Sequence, residues 1–178
     1  MDKIKLHDNE FEIFIPSQKI AETVETMAAR ISEDFQGKRP LFLIILNGAF
    51  MFASDLLKSI TITCELSFVK IASYQGVHQG EMQELIGLNE DLSDREVIIL
   101  EDIVDSGRTL QKVFSMLKEK KAKKVSVATM FFKPKALLFP ELQPDYVGMS
   151  IANDFIVGYG LDYDGIGRNL KSVYRIIS

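Results

Sequence analysis

The sequence contains one cysteine, Cys64, and two histidines, His7 and His78. A single cysteine excludes a disulfide framework and a cysteine-rich zinc site within one chain. With only these two histidines, the spacing of a zinc protease and a Ser-His-Asp arrangement are both unsupported. The sequence also lacks a G-x-G-x-x-G motif and a glycine-rich turn followed by Gly-Lys-Ser/Thr. The absence of these two motifs argues against a simple dehydrogenase and against a simple nucleotide triphosphatase.

Long apolar runs and dense basic patches are missing as well. No apolar run approaches the roughly 18 residues that a membrane span needs, and the N-terminus has no apolar signal region. We therefore expect a cytoplasmic protein without membrane contact. The formal net charge is −4 at pH 7, and the nearest thing to a basic patch, residues 118–124, is typical of the solvated end of a helix. This charge balance predicts no nucleic-acid partner.

The 178 residues, of which 47% are hydrophobic, suffice for one sizeable core, and we predict a single domain over residues 1–178. Apolar runs typical of buried strands alternate with segments of helical periodicity, which predicts an α/β fold with a mostly parallel sheet. The predicted strands are residues 11–15, 41–46, 61–71, 97–100, 124–132 and 146–151, with a further apolar segment at 155–159. The predicted helices are residues 17–35 and 52–60 and a third that begins at Thr109.

Two segments between these elements have features of their own. Ser17 follows Pro16 at the start of the first helix and is the predicted N-cap. Residues 73–88 have no sustained period and carry three glycines among polar side chains. A loop of this length in a compact domain is usually functional, often as a lid, or else disordered.

The most informative stretch follows the apolar run Val97 to Leu100. Two carboxylates, Glu101 and Asp102, end this run, and the polar turn 105–107 leads to a helical period at Thr109. In open α/β sheets ligands bind at the carboxyl ends of the strands, and the N-terminus of a following helix offers free N–H groups to an anion. Carboxylates beside such a group of free N–H donors can bind sugar hydroxyls or Mg²⁺-bound water. A ribose 5-phosphate matches both parts of this motif.

Residues Glu101 to Thr109 resemble the phosphoribosyl-diphosphate signature of the type I phosphoribosyltransferases. With its surroundings, the chain is similar over nearly its whole length to the hypoxanthine (hypoxanthine-guanine) phosphoribosyltransferases. The resemblance implies a central, mostly parallel sheet flanked by helices, with a small hood formed by the N- and C-terminal segments. It implies Mg²⁺-dependent transfer of the phosphoribosyl group from phosphoribosyl diphosphate to N9 of hypoxanthine or guanine in purine salvage. Because members of this family usually form homodimers or homotetramers, the resemblance implies one of these assemblies.

The resemblance also assigns the donor half of the site. Glu101 and Asp102 would bind the ribose hydroxyls, and together with Asp162 they are the predicted Mg²⁺-associated carboxylates. The loop that would wrap the 5′-phosphate consists of Asp105, Ser106, Gly107, Arg108 and Thr109. Its hydroxyls and N–H groups are all donors to phosphate oxygen. Asp105 would also lie near purine N7 and transfer the proton that neutralises the bound base. The alternative role of Asp105 is to cap the following helix.

Leu46-Asn47-Gly48 occupies the position of the family's pyrophosphate loop, where a non-proline cis peptide commonly turns an N–H toward the diphosphate. Many relatives have lysine at the position of Asn47, so a charged side-chain contact is in doubt here. Gly48 permits close backbone approach because it has no side chain. An ordinary strand-to-helix turn is the alternative. Arg168 falls where an arginine reaches the pyrophosphate, and its planar fork suits that anion.

The purine half of the site is implied by three further matches. Lys133 matches the lysine that recognises the exocyclic oxygen of a 6-oxopurine, and an ammonium has only donors, which disfavours adenine. A solvated strand-end lysine is the alternative, and Lys135 is a second possible match. Phe155 matches the aromatic residue that stacks on the purine, and Ile156 the next backbone group, which meets the base edge. Asp162 also lies near the purine's 2-position in the family, although it and Arg168 would be an ordinary surface ion pair in the alternative interpretation.

Ser73 and Tyr74 match the Ser-Tyr pair that the family carries on its mobile active-site loop. A closing lid would exclude water from a transition state with oxocarbenium character. Two other functions stay open at this point: transfer to another base, such as xanthine, and a nucleotide-sensing, RNA-binding regulator of the same fold. The acidic balance weighs against the regulator.

Overall fold

The computed structural model describes residues 3–73, 82–86, 88 and 90–177. None of the helices in these ranges is both long enough and apolar enough to span a membrane. The elements, in chain order, are β1 (Lys3–Leu6), β2 (Asn9–Ile15), α1 (Ser17–Asp34), β3 (Leu41–Leu46), α2 (Phe50–Ser59), β4 (Glu65–Ser73), β5 (Met82–Ile86), β6 (Glu96–Val104), α3 (Arg108–Glu119), β7 (Lys124–Phe132), a 3₁₀ turn (Pro140–Leu142), β8 (Tyr146–Ser150), β9 (Ile156–Val157) and β10 (Val173–Ile176).

The main sheet has six strands in the order β5-β4-β3-β6-β7-β8. Strands β4, β3, β6, β7 and β8 run parallel to their neighbours, and β5 pairs antiparallel with β4 at the edge. Helices α1 and α2 cover one face, where they pack on Phe42 and Ile44, and α3 covers the other, where it packs on Leu41 and Leu43. Because both faces are covered, the central strands are continuous apolar runs. The predicted α/β fold with a mostly parallel sheet is confirmed.

A second, antiparallel sheet with the order β1-β2-β10-β9 joins the two ends of the chain. Residues of β10 pair with β2, and the backbone N–H of Ile177 donates to the carbonyl oxygen of Glu10 at 2.9 Å. This sheet is the small hood of N- and C-terminal segments that the family resemblance implies. The side-chain hydroxyl of Ser172 accepts a hydrogen bond from the backbone N–H of Ser17 at 3.1 Å and ties the hood to the start of α1.

Ser17 is not the N-cap that the sequence predicts. It is the first residue of α1, Pro16 stands at the N-cap position, and no side-chain hydrogen bond caps the helix among the described residues. The hydroxyl of Ser172, from the far end of the chain, satisfies the Ser17 N–H instead. A contact between residues so distant in sequence leaves no local signal.

Three predicted strand or loop boundaries are also corrected. The strand predicted at 61–71 begins only at Glu65, because its partner β3 begins at Leu41 and Leu41 stands opposite Glu65. The loop predicted at 73–88 contains strand β5. This strand forms because it pairs with β4, and its amino-acid composition alone does not predict a strand. Strand β6 continues past Leu100 to Val104, because Glu101, Ile103 and Val104 still pair with β7. The two acidic residues at 101 and 102 therefore lie inside the strand.

Candidate active site

Three parallel strands end at the same edge of the main sheet, and each is followed by residues with predicted chemistry. Strand β3 leads into Asn47 and Gly48, β6 into Asp105 and Ser106, and β7 into Lys133. The backbone N–H of Lys133 donates to the carbonyl oxygen of Val104 at 2.9 Å, so the ends of β6 and β7 are held together. This edge is where ligands bind in sheets of this kind.

Glu101 and Asp102 are buried carboxylates near the C-terminal end of β6, with 8% and 9% of their surface exposed. Burial raises the pKa of Glu101 well above its ordinary value, and the neighbouring Asp102 charge adds to this rise. Burial also raises the pKa of Asp102 from 3.8 to about 6, although the N–H of Ile103 and the positive Arg168 act in the opposite direction. Oε2 of Glu101 has no hydrogen-bond partner in the part of the chain that the structure describes. A cation or hydroxyl donors at this point would relieve the cost of burying these two groups.

Residues 105–109 line a cavity of about 230 Å³ that also includes Glu101. Gly107 stands at the N-cap position of α3 with φ of +79°, a conformation that glycine adopts without strain. Within the described residues no side chain caps α3, so Asp105 does not serve as its cap. The first N–H groups of the helix are therefore left for an anion in the cavity.

Asp105 instead pairs with Lys133, whose ammonium lies 3.1 Å from its Oδ2. Lys133 is only 8% exposed, so it is not the solvated strand-end lysine of the alternative interpretation. Lys135 is exposed. The pair puts a cation with spare donors and a carboxylate side by side at the edge of the cavity lined by residues 105–109, in a position to meet the same ligand.

The turn after β3 comes into direct contact with β6. The peptide bond between Leu46 and Asn47 is cis, and Asn47 itself is exposed. A Cβ atom at Gly48 would overlap Oδ2 of Asp102, and a Cβ atom at Gly160 would overlap the carbonyl oxygen of Gly48. Only residues without side chains allow these three segments to approach so closely.

Arg168 and Asp162 form a half-buried ion pair in which Nη2 lies 2.6 Å from Oδ1. The other guanidinium nitrogen of Arg168 donates to the carbonyl oxygen of Gly160 at 2.7 Å. Oδ2 of Asp162 accepts the backbone N–H of Gly165 at 2.8 Å. The pair is therefore part of the loop that rests on Gly48, and it is more than an isolated surface contact.

Phe155 lies at the entrance to β9 and is 46% exposed, so it is not a core side chain. Its ring stands edge-to-face with Tyr163 at a centroid distance of 5.6 Å, and Tyr163 accepts a hydrogen bond from Asn9 at 2.7 Å. Ile156 is buried in the hood sheet. The exposed ring of Phe155, supported from the hood, has the properties of a stacking platform.

The structure does not place every predicted residue. Ser73 ends β4, opposite Met82 in the register with β5, and Tyr74 lies outside the described residues. Among the described residues no group of three or more His, Cys, Asp or Glu side chains could hold a metal by itself. Mg²⁺ needs no such cage when substrate phosphates complete its coordination.

Two residues of the site were missed at the sequence level. Gly160 directly follows the segment 155–159 and stands between Tyr159 and Leu161, which gave no local signal of its contact with Gly48. Asp55 on α2 accepts a hydrogen bond from Tyr159 and had no signal, because nothing in the sequence relates positions so far apart.

The family model of the phosphoribosyl transferase domain matches residues 14–164. The hypoxanthine-guanine phosphoribosyltransferase of Streptococcus thermophilus is 37% identical over 164 residues, which are 91% of each chain. The bifunctional protein TilS/HprT of Listeria monocytogenes is 35% identical over 170 residues, which are 94% of this chain but only 26% of that protein. The chain thus spans about a quarter of the length of this relative.

Solved structures show the same similarity. The hypoxanthine phosphoribosyltransferase of Staphylococcus aureus superposes with a TM-score of 0.87 at 32% sequence identity, covering 93% of this chain and 91% of that one. The sheet order and the hood therefore match a known architecture over almost all of the chain.

Replacing Asp102 with asparagine should flatten the dependence of the free energy of unfolding on pH. The pKa of Asp102 in the folded protein, about 6, is above its ordinary value of 3.8, so the unfolded chain loses this proton first. Protonated Asp102 therefore contributes at most about 3 kcal/mol to the free energy of unfolding. This contribution is complete below about pH 4 and is lost as the pH rises through about 6. Urea unfolding of both proteins from pH 4 to 7 measures this.

Asp91→Asn is the matched control, because a hydrogen bond from Ser93 lowers the pKa of Asp91. Its effect on the pH profile has the opposite sign and falls mainly below about pH 4, so between pH 4 and 7 Asp91→Asn should leave the slope of the wild-type profile nearly unchanged. Parallel profiles for the wild type and Asp102→Asn between pH 4 and 7 would contradict the assignment of a raised pKa to Asp102.

Proposed function

Because the chain belongs to the phosphoribosyl transferase domain family, we propose that it transfers the phosphoribosyl group from phosphoribosyl diphosphate to N9 of hypoxanthine or guanine. The products are IMP or GMP and pyrophosphate, and the role is purine salvage. The observation that carries this proposal is the Lys133–Asp105 pair beside the phosphate cavity. It provides a donor for a 6-oxo group and a carboxylate for a ring proton at the edge of a ribose-phosphate site.

The donor half of the proposed site consists of the cavity and the two buried carboxylates. The N–H groups of residues 106–109 and the hydroxyls of Ser106 and Thr109 bind the 5′-phosphate. Glu101 and Asp102 accept hydrogen bonds from the ribose hydroxyls, which satisfies groups that otherwise lie buried without sufficient partners. The turn at Asn47 and Gly48 presents backbone to the diphosphate, and Arg168 supplies the positive charge there.

The acceptor half binds the purine between the ring of Phe155 and the ammonium of Lys133. Stacking on an aromatic ring holds the plane of the base, and Lys133 donates to O6. Asp105 lies 3.1 Å from Lys133, so a base bound to Lys133 would have its N7 edge close to Asp105. Asp105 takes or shares the proton whose removal makes N9 a better nucleophile.

The residues also fit a divalent cation. Glu101 has a buried carboxylate oxygen without a partner among the described residues, Asp102 is its neighbour in the chain, and the negative charge of Asp162 raises the pKa of Asp102. We propose that Mg²⁺ binds beside these carboxylates, with oxygens of the donor and water completing its coordination, because the three are not grouped closely enough to hold the ion by themselves. When bound, the ion supplies neutralising charge for the diphosphate leaving group.

No covalent enzyme intermediate is required. The two halves hold N9 and the ribose carbon in line, and this orientation supplies much of the rate. Lys133 disfavours adenine, because an ammonium has no acceptor for the 6-amino group. Xanthine carries the same 6-oxo group and is the alternative substrate.

We also propose that the chain acts as a homodimer or homotetramer and has no nucleic-acid partner. Leu66 and Phe68 are exposed on β4, which leaves apolar surface for a second copy. The formal net charge of −4 does not favour binding to phosphate backbones.

Purified protein with Mg²⁺ and phosphoribosyl diphosphate should release pyrophosphate when hypoxanthine or guanine is added. Adenine should give a kcat/KM at least about 100-fold lower, because it would leave Lys133 facing a donor. Xanthine tests the alternative substrate, and uracil is the control for release without a purine. Absence of release with every 6-oxopurine would contradict the proposed function.

Asp105→Asn should lower kcat by about 10²- to 10⁴-fold, because the amide cannot accept the proton from the base. The dissociation constant for GMP should change much less, since the product needs no proton transfer. Steady-state kinetics and isothermal titration calorimetry measure the two effects. Asp94→Asn, in an exposed turn, is the control and should keep wild-type kinetics; an unchanged kcat in Asp105→Asn would remove its catalytic role.

A further inference from the structure

Tyr159 connects two segments of the proposed site. The first is the purine-binding loop, residues 155–168, and the second is helix α2, which follows the pyrophosphate turn at Asn47 and Gly48. The Tyr159 hydroxyl donates a hydrogen bond to Oδ2 of Asp55 on α2 at 2.9 Å, although the two residues are 104 positions apart. Tyr159 is only 3% exposed. Its burial, together with the Asp55 charge, raises the pKa of the phenol far above its ordinary value, so the hydroxyl keeps its proton and stays a donor.

The backbone of Tyr159 is fixed within its own loop. Its N–H donates to the carbonyl oxygen of Leu170 at 2.8 Å, and the next N–H, of Gly160, donates to that of Arg168 at 2.9 Å. Arg168 in turn holds the carbonyl oxygen of Gly160 and the carboxylate of Asp162. The phenol is therefore attached to the same rigid segment as the residues proposed to face the diphosphate and the metal.

Asp55 is fixed with respect to the other half of the site. It lies in α2, which begins at Phe50, directly after the turn at Asn47 and Gly48. Its second carboxylate oxygen lies 3.4 Å from the ammonium of Lys58. The Tyr159–Asp55 hydrogen bond is thus a second contact between the two segments, besides the backbone contact between Gly160 and Gly48, and the two contacts together fix how far apart the segments lie.

We propose that Tyr159 and Asp55 are positioning residues that set the distance between the purine-binding loop and the pyrophosphate turn. This inference rests on the proposed function, because the distance matters only if N9 and the ribose carbon must be held in line. Neither residue needs to touch a substrate. A displacement of about 1 Å between reacting groups is enough to lower a rate about 100-fold.

The chain provides a matched control for this hydrogen bond. Tyr146 donates to Oδ2 of Asp34 on α1 at 2.7 Å and is 5% exposed. It is the first residue of edge strand β8, at the end of the parallel sheet opposite to the proposed site. Tyr159→Phe and Tyr146→Phe each remove one phenol–carboxylate hydrogen bond from a buried ring. Their losses in thermal stability should be similar.

Only Tyr159→Phe should change catalysis. Its kcat with guanine should fall by roughly 10- to 100-fold, while its KM for guanine should stay within about threefold of wild type, since the base is proposed to contact Phe155 and Lys133 and not the turn at Asn47 and Gly48. Tyr146→Phe should keep kcat within about twofold. Asp55→Ala should reproduce the loss, and Asp55→Asn should restore most of it, because its amide oxygen still accepts the phenol O–H.

Asp55→Ala also gives a test if Tyr159→Phe does not fold, because the Asp55 side chain is about half exposed. A wild-type kcat in Tyr159→Phe and Asp55→Ala, or an equal fall in Tyr146→Phe, would overturn the positioning role. An inactive wild-type protein would instead overturn the proposed function, so the two failures are distinguishable.

Discussion

The close contact among Asp102, Gly48 and Gly160 is the constraint on which the candidate site depends. Asp102 belongs to the central strand β6, Gly48 to the turn after β3, and Gly160 to the loop that follows the hood strand β9. A side chain at either glycine would overlap its neighbour, so the three segments approach to backbone distance. The loop after hood strand β9 is in this way held against the edge of the main sheet where β3 and β6 end.

Two cations of the candidate site are paired with carboxylates. Lys133 pairs with Asp105, and Arg168 pairs with Asp162. Each pair unites a cation proposed to meet substrate with a carboxylate proposed to act in the same half, so the charges stay compensated in a partly buried region. This explains why a site rich in charged groups is compatible with a stable fold.

Much of the fold could be predicted because the central strands are covered on both faces. Strands β3 and β7 have the predicted bounds, since continuous apolar runs mark them clearly. The hood strands β1 and β10 and the edge strand β5 were not predicted, because they depend on pairing with distant segments. The motif residues Asp105 and Lys133 could be selected from sequence. Their ion pair could not, because it forms only when β6 and β7 lie side by side.

A crystal structure with GMP bound tests most directly that these segments form one site. We expect the 5′-phosphate on the N–H groups of residues 106–109, the ribose hydroxyls on Glu101 and Asp102, and O6 within hydrogen-bond distance of the Lys133 ammonium, with the base on Phe155. A phosphate bound elsewhere, or a base directed away from Lys133 and Phe155, would contradict this account.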